Sequence, residues 1–132
     1  MKRIAAALVV GVALSGCAAP VNKLRGDPSI HKEVAHLDAA PATVYRNVVT
    51  AARECWNGMA FLYPLQIDKE FFPDTSEGEV TMYFNDLGDR FVQGDVQIKP
   101  AAAGTDITYF SRRGSNFPFG DWARGSKECP SD

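Results

Sequence analysis

Residues 41–58, PATVYRNVVTAARECWNG, decide the fold. Val44, Val48, Ala51, Ala52 and Cys55 recur at the 3.6-residue period and so share one face of a helix. Tyr45, Val49 and Trp56 widen that stripe, while Arg46, Asn47, Thr50, Arg53 and Glu54 fall outside it. Asp38 is placed to cap the helix, Pro41 suits its first turn, and Asn57-Gly58 is a stop. The polar side is not lysine-rich, so the stripe fits a protein core better than a membrane surface. The spacing predicts an amphipathic helix of about four turns, with Cys55 in the last of them.

Beyond that helix the apolar period changes to two. Leu65 and Ile67 form a first run; Val80, Met82 and Phe84 a second; Val92, Val96 and Ile98 a third; Ile107 and Tyr109 a fourth. Polar residues alternate with them, and turn-forming segments at 73–78, 85–89 and 100–104 separate them. Four such runs describe an antiparallel meander with one wet face, and the helix is the natural cover for the dry one. Gly94, inside the third run, marks a candidate bulge. Tyr83 and Phe110 fall on the wet face.

The last segment, residues 111–132, carries Phe117, Phe119 and Trp122 among Gly and Pro, behind the pair Arg112-Arg113. It reads as a loop-rich tail with a short helix starting near Asp121. Two roles stay open for these residues. Arg112, Arg113, Phe117, Phe119 and Trp122 could form a surface that docks a partner, or the aromatics could fold over the sheet and fill its margin. The expected fold is therefore α+β: one amphipathic helix packed on a four-stranded antiparallel meander, with a C-terminal tail.

The front of the chain has a different character. Lys2 and Arg3 precede residues 4–14, all small or apolar, and Leu14-Ser15-Gly16-Cys17 follows. A cationic start before a short apolar run is the pattern of a secretory signal, too short to span a bilayer of about 30 Å. The segment Leu14-Ser15-Gly16-Cys17 resembles the lipobox of bacterial lipoprotein precursors. That resemblance implies cleavage after Gly16, a diacylglycerol on the Cys17 thiol and a further acyl chain such as palmitate on the new N-terminus. Two or three chains make such an anchor stable where one does not. Ala18 stands where an Asp would imply retention in the inner membrane, so the resemblance implies the outer membrane, facing the periplasm. Residues 1–16 are then a cleaved signal peptide, residues 17–37 a lipid anchor and flexible tether spanning roughly 25 Å, and residues 38–132 one small domain.

Loss of residues 1–16 removes Lys2 and Arg3 and no acid, leaving twelve basic and sixteen acidic side chains and a net charge of −4. With no basic cluster beyond Arg112-Arg113, nucleic-acid binding has no electrostatic footprint. Cys55 and Cys129 remain as an even pair, and an oxidising periplasm favours a bridge between them. Closing a loop of about 75 residues contributes on the order of 4–5 kcal/mol in the chain-entropy model.

Motifs for catalysis are lacking. His31 and His36, the only histidines, lie in the expected tether at a spacing that does not match helical metal ligands. Asn85-Asp86-Leu87-Gly88-Asp89 holds calcium-ligating residue types, but the twelve-residue loop with its closing Glu is missing and a hairpin turn prefers the same residues. No cofactor, metal or enzymatic activity is expected. The helix-plus-sheet plan resembles small envelope lipoproteins such as the accessory lipoproteins of the outer-membrane barrel-assembly machine, a likeness of architecture alone. The expectation is a non-catalytic binding or scaffolding module of the cell envelope, tethered to the membrane and contacting an envelope protein. The alternative is a carrier for a small hydrophobic ligand such as a lipid, held between helix and sheet. A cavity of several hundred Å3 there would favour the carrier, a dense core the scaffold.

Overall fold

A computed structural model describes residues 20–56, 64–112 and 117–130. In chain order the elements are α1 (Pro20–Gly26), β1 (His31–Leu37), α2 (Pro41–Trp56), β2 (Gln66–Phe72), β3 (Glu77–Asp86), β4 (Asp89–Pro100), β5 (Thr105–Ser111) and α3 (Phe119–Ala123). The Ala40 carbonyl starts α2, accepting from the amides of Thr43 and Val44 at 3.0 and 3.1 Å. Pro41, which has no amide hydrogen, loses nothing at this first position. Asp38, expected as the cap, lies outside the helix and fully exposed. The expected stop at Asn57-Gly58 lies outside the described residues.

The sheet has five antiparallel strands in the order β1-β5-β4-β3-β2, one more than the sequence pattern predicted. β2 to β5 form the expected meander. β1 adds to its far edge, with His31 opposite Ser111 and Leu37 opposite Thr105. Residues 20–37, expected as tether, are thus part of the fold. β1 escapes a periodicity search because only Leu37 of its seven residues is buried, as befits an edge strand with neither face fully covered. Since β1 and β2 are opposite edges, α2 carries the chain diagonally across one face of the sheet.

That face is the core. Val44, Val48, Ala51, Ala52 and Cys55 of α2 pack on Val80, Met82, Val96, Ile98, Ile107 and Tyr109 from three neighbouring strands. Each fully buried Val, Ile or Met side chain among them contributes roughly 1.5–3 kcal/mol. A bulge between Met82 and Tyr83 pairs Met82 with Gly94 and Tyr83 with Val92, leaving Gln93 as the extra residue. The bulge moves Val92 to the opposite face, where it packs with Leu24 and Phe110. Sequence alternation, which grouped Val92 with Val96 and Ile98, is corrected there. Gly94 sits beside the bulge for a packing reason: a Cβ on it would lie 2.9 Å from the rings of both Phe117 and Phe119.

The tail closes over the end of α2. Phe119 and Trp122 are fully buried in the main core and meet edge to face at 5.6 Å between ring centroids. The Trp122 indole donates to the Glu128 carbonyl at 2.7 Å, and Asn47 of α2 donates to the Ala123 carbonyl at 3.2 Å. A Cys55–Cys129 disulfide, with Cα atoms 5.2 Å apart, fastens this segment to the last turn of α2.

Candidate functional site

The sheet face away from α2 holds the chain's unusual electrostatics. Antiparallel register sets Thr81 beside Asp95, Glu79 beside Gln97 and Glu70, and Asp68 beside Thr81. Two carboxylates directly opposite each other, Glu70 and Glu79, repel. Above them lies α1, whose Leu24 is buried against Val92 and Phe110 while the next residue, Arg25, turns toward the acids.

Arg25 makes three short contacts. Its Nε donates to Asp95 Oδ2 at 2.9 Å, and its Nη2 reaches Glu79 Oε1 at 2.6 Å and Asp95 Oδ2 at 2.8 Å. The other Asp95 oxygen accepts from the Thr81 hydroxyl at 2.9 Å. With its amide oxygen turned toward the guanidinium, Gln97 accepts from Nη1 and Nη2 at 3.1 and 3.2 Å. Asp95 is fully buried. Burial pushes its carboxyl up to about 6, although Arg25 and Thr81 pull downward. Removing a partner from a buried carboxylate is costly, so Asp95 favours Arg25 in its seated position.

Beside this cluster a groove of about 300 Å3 opens between α1 and β2, walled by Val21, Asp68, Glu70, Glu79, Thr81 and Arg90 among others. The Arg90 guanidinium lies over the Tyr83 ring, 3.5 Å from its centroid, and pairs with Asp68. Tyr83 donates to the same carboxylate at 3.3 Å. Arg90 Nε is buried with no acceptor. In and beside the groove Asp68, Glu70, Glu79 and Asp95 set four carboxyl groups against Arg25, Arg90 and Lys69.

The residues singled out from sequence are scattered. Cys17 and Arg113 lie outside the described residues. Cys55 and Cys129 are bridged. Phe119 and Trp122 are buried in the main core, and Phe117, partly exposed, packs against it. Arg112 is turned inward, donating from Nε to the Val92 carbonyl at 2.8 Å and from its amide to the Gln93 carbonyl at 3.0 Å. These two bonds hold the strand at the bulge.

His31 and His36 sit on edge strand β1, far from the acidic groups of β2 and β3. His36 Nδ1 is 2.7 Å from Asp106 Oδ1, and His31 Nε2 is 3.3 Å from Glu33. The 85–89 segment is a two-residue hairpin turn whose central residues, Leu87 and Gly88, both have positive φ, 49° and 88°. Leu87 is fully exposed there, and Phe84 stacks on half-exposed Phe91 just below, with centroids 5.2 Å apart.

Sequence reasoning missed Leu24, Arg25 and Glu79, and the burial of Asp95. The available signal is the apolar pair Leu24 and Ile30 in a segment that otherwise reads as linker. Among the described residues no three His, Cys, Asp or Glu side chains converge as a metal cage, and no helix is long and apolar enough to cross a membrane. Comparison with protein-family models, curated proteins and solved structures gave no match.

Proposed function

We propose that this chain is an outer-membrane lipoprotein, anchored through Cys17 and facing the periplasm, whose domain is a non-catalytic binding or scaffolding module. The lipobox-like Leu14-Ser15-Gly16-Cys17 carries the anchor. What supports the scaffold is the filling of the α2 interface: Val44, Val48, Ala51 and Ala52 are fully buried against Val80, Met82, Val96 and Ile98. A hydrophobic-ligand carrier would need room there, and the groove of about 300 Å3 lies on the other face between charged walls. A nucleophile with its base is also hard to assemble, because the histidines and the acidic cluster occupy different parts of the sheet.

The apolar contact a docking module requires is offered at the β3–β4 tip, where Leu87 projects fully exposed above Phe84 and Phe91. The test has two arms. Metabolic palmitate labelling marks the wild type and not Cys17→Ser; labelling of both, or neither, sinks the anchor. A photo-crosslinking side chain at Leu87 captures a defined envelope protein, and one at Ala102, at the other end of the sheet, does not. Equal yields from the two positions sink the module.

A further inference from the structure

Only Ala18 and Ala19 separate Cys17 from Pro20, the first residue of α1, so three peptide links join the two. Fully extended, they reach about 10 Å. When α1 is seated on the sheet, a lipid on Cys17 therefore keeps the start of α1 within about 10 Å of the bilayer surface. If α1 leaves the sheet, the flexible chain runs from Cys17 to the first paired residue, His31, and spans roughly 20 Å on average.

α1 is built to be separable. It has seven residues, too few to be stable alone. Its hold on the domain is centred on one buried apolar side chain, Leu24, and one guanidinium, Arg25, shared among Glu79, Asp95 and Gln97, with Val21 half-buried at the groove. It leads into β1 through a tight turn, in which Asp27 accepts from the amide and hydroxyl of Ser29 at 2.9 and 2.7 Å and its carbonyl accepts from Ile30 at 3.2 Å. β1 is held independently by its ladder to β5, so releasing α1 does not require the sheet to open.

We propose that α1 is a releasable clamp on the membrane leash, whose seating through Leu24 and the Arg25–Asp95–Glu79 cluster sets how far the domain stands from the bilayer. This rests on lipidation of Cys17. The clamp is a reach control: seated, the α2 face and the hairpin tip explore only the membrane-proximal layer; released, they reach partners further into the compartment.

The experiment uses the full chain purified from membranes and reconstituted into phosphatidylcholine vesicles. With Cys17 acylated and Cys55 bridged to Cys129, an Ala102→Cys change supplies the single free thiol for a fluorescent donor, and the lipid carries a headgroup acceptor. The double substitution Leu24→Ala, Arg25→Ala is expected to lower energy transfer roughly two-fold, as the longer leash predicts, and to abolish amide-exchange protection of residues 20–26 alone. Inserting six Gly/Ser residues after Ala18, which leaves the fold untouched, is expected to lower transfer in the same direction. Unchanged transfer in the insertion variant overturns the proposal, as does unchanged transfer when α1 has lost its protection. A second reactive thiol per chain means that Cys17 is not acylated, which ends the lipoprotein reading itself and is visible before any distance is measured.

Discussion

The two faces of the sheet are held by different physics. On the α2 side, apolar side chains from helix, strands and tail interlock, and a disulfide fastens the last turn of the helix to the segment that covers it. On the α1 side, Leu24 enters a small cluster with Val92 and Phe110, and the rest is charge: Arg25 against Asp95 and Glu79. Area is non-directional and tolerant, so the first face is strong and survives small shifts. A buried ion cluster contributes little net stability yet is costly to leave half made. The first face therefore defines the fold, while the second chooses between a seated and an unseated helix.

The largest expected effect lies in the aromatic knot under the tail. Trp122→Ala should destabilise the whole domain by about 3–5 kcal/mol, read as a drop in the urea midpoint at unchanged m-value. If it unfolds the tail alone, the α2 face is less unified than described. Leu24→Ala should cost about 2–3 kcal/mol locally, seen as loss of amide-exchange protection in α1 while α2 keeps its own. Equal loss in both helices would erase the distinction between the faces.

Acidity tests the cluster. Asp95 titrates at about 6 in the folded protein against 3.8 for an unperturbed group, so between those values the folded chain holds a proton that the unfolded chain has released. The contribution is full below the lower value and is lost as pH rises through about 6. The facing groups are Arg25 from α1, Glu79 and Thr81 from β3 and Gln97 from β4 itself. Stability should thus rise by about 1–1.5 kcal/mol between pH 7.5 and 5 and be flat over that window in Asp95→Asn. Asp27, lowered by its hydrogen bonds from Ser29, and Glu33, lowered first by Tyr109, act in the opposite sense only at more acid pH. A wild type that loses stability across the window would mean that the ion pair outweighs desolvation. The smallest effect is expected at Arg90, whose pair with half-exposed Asp68 is screened by water and whose buried Nε has no acceptor to lose: Arg90→Ala should change the urea midpoint by less than about 1 kcal/mol equivalent.

The same contrast explains what the sequence made legible. α2 and the meander were readable because their apolar residues repeat at fixed periods and pack on near neighbours in the chain. Cys55–Cys129 was readable from cysteine number alone. Val92 was misplaced because one extra residue, Gln93, inverts the alternation, and nothing local distinguishes that bulge from a regular strand. β1 was hidden because an edge strand with mostly exposed side chains need not alternate. The Arg25–Asp95 pair spans 70 positions, so neither residue carries a local sign of the other. The tail aromatics stayed ambiguous because Gly and Pro between them erase periodicity.

The strand order carries one more consequence, for how the chain comes into being. β1 is the first strand made, yet its partner is β5, the last, and the disulfide must wait longer still for Cys129. A chain delivered from its N-terminus, by synthesis or by passage through a narrow pore, carries an unmatched edge until nearly all of it has arrived. Such distant pairings close slowly. The topology itself acts as a delay, keeping the polypeptide pliant through delivery and committing it only at the end.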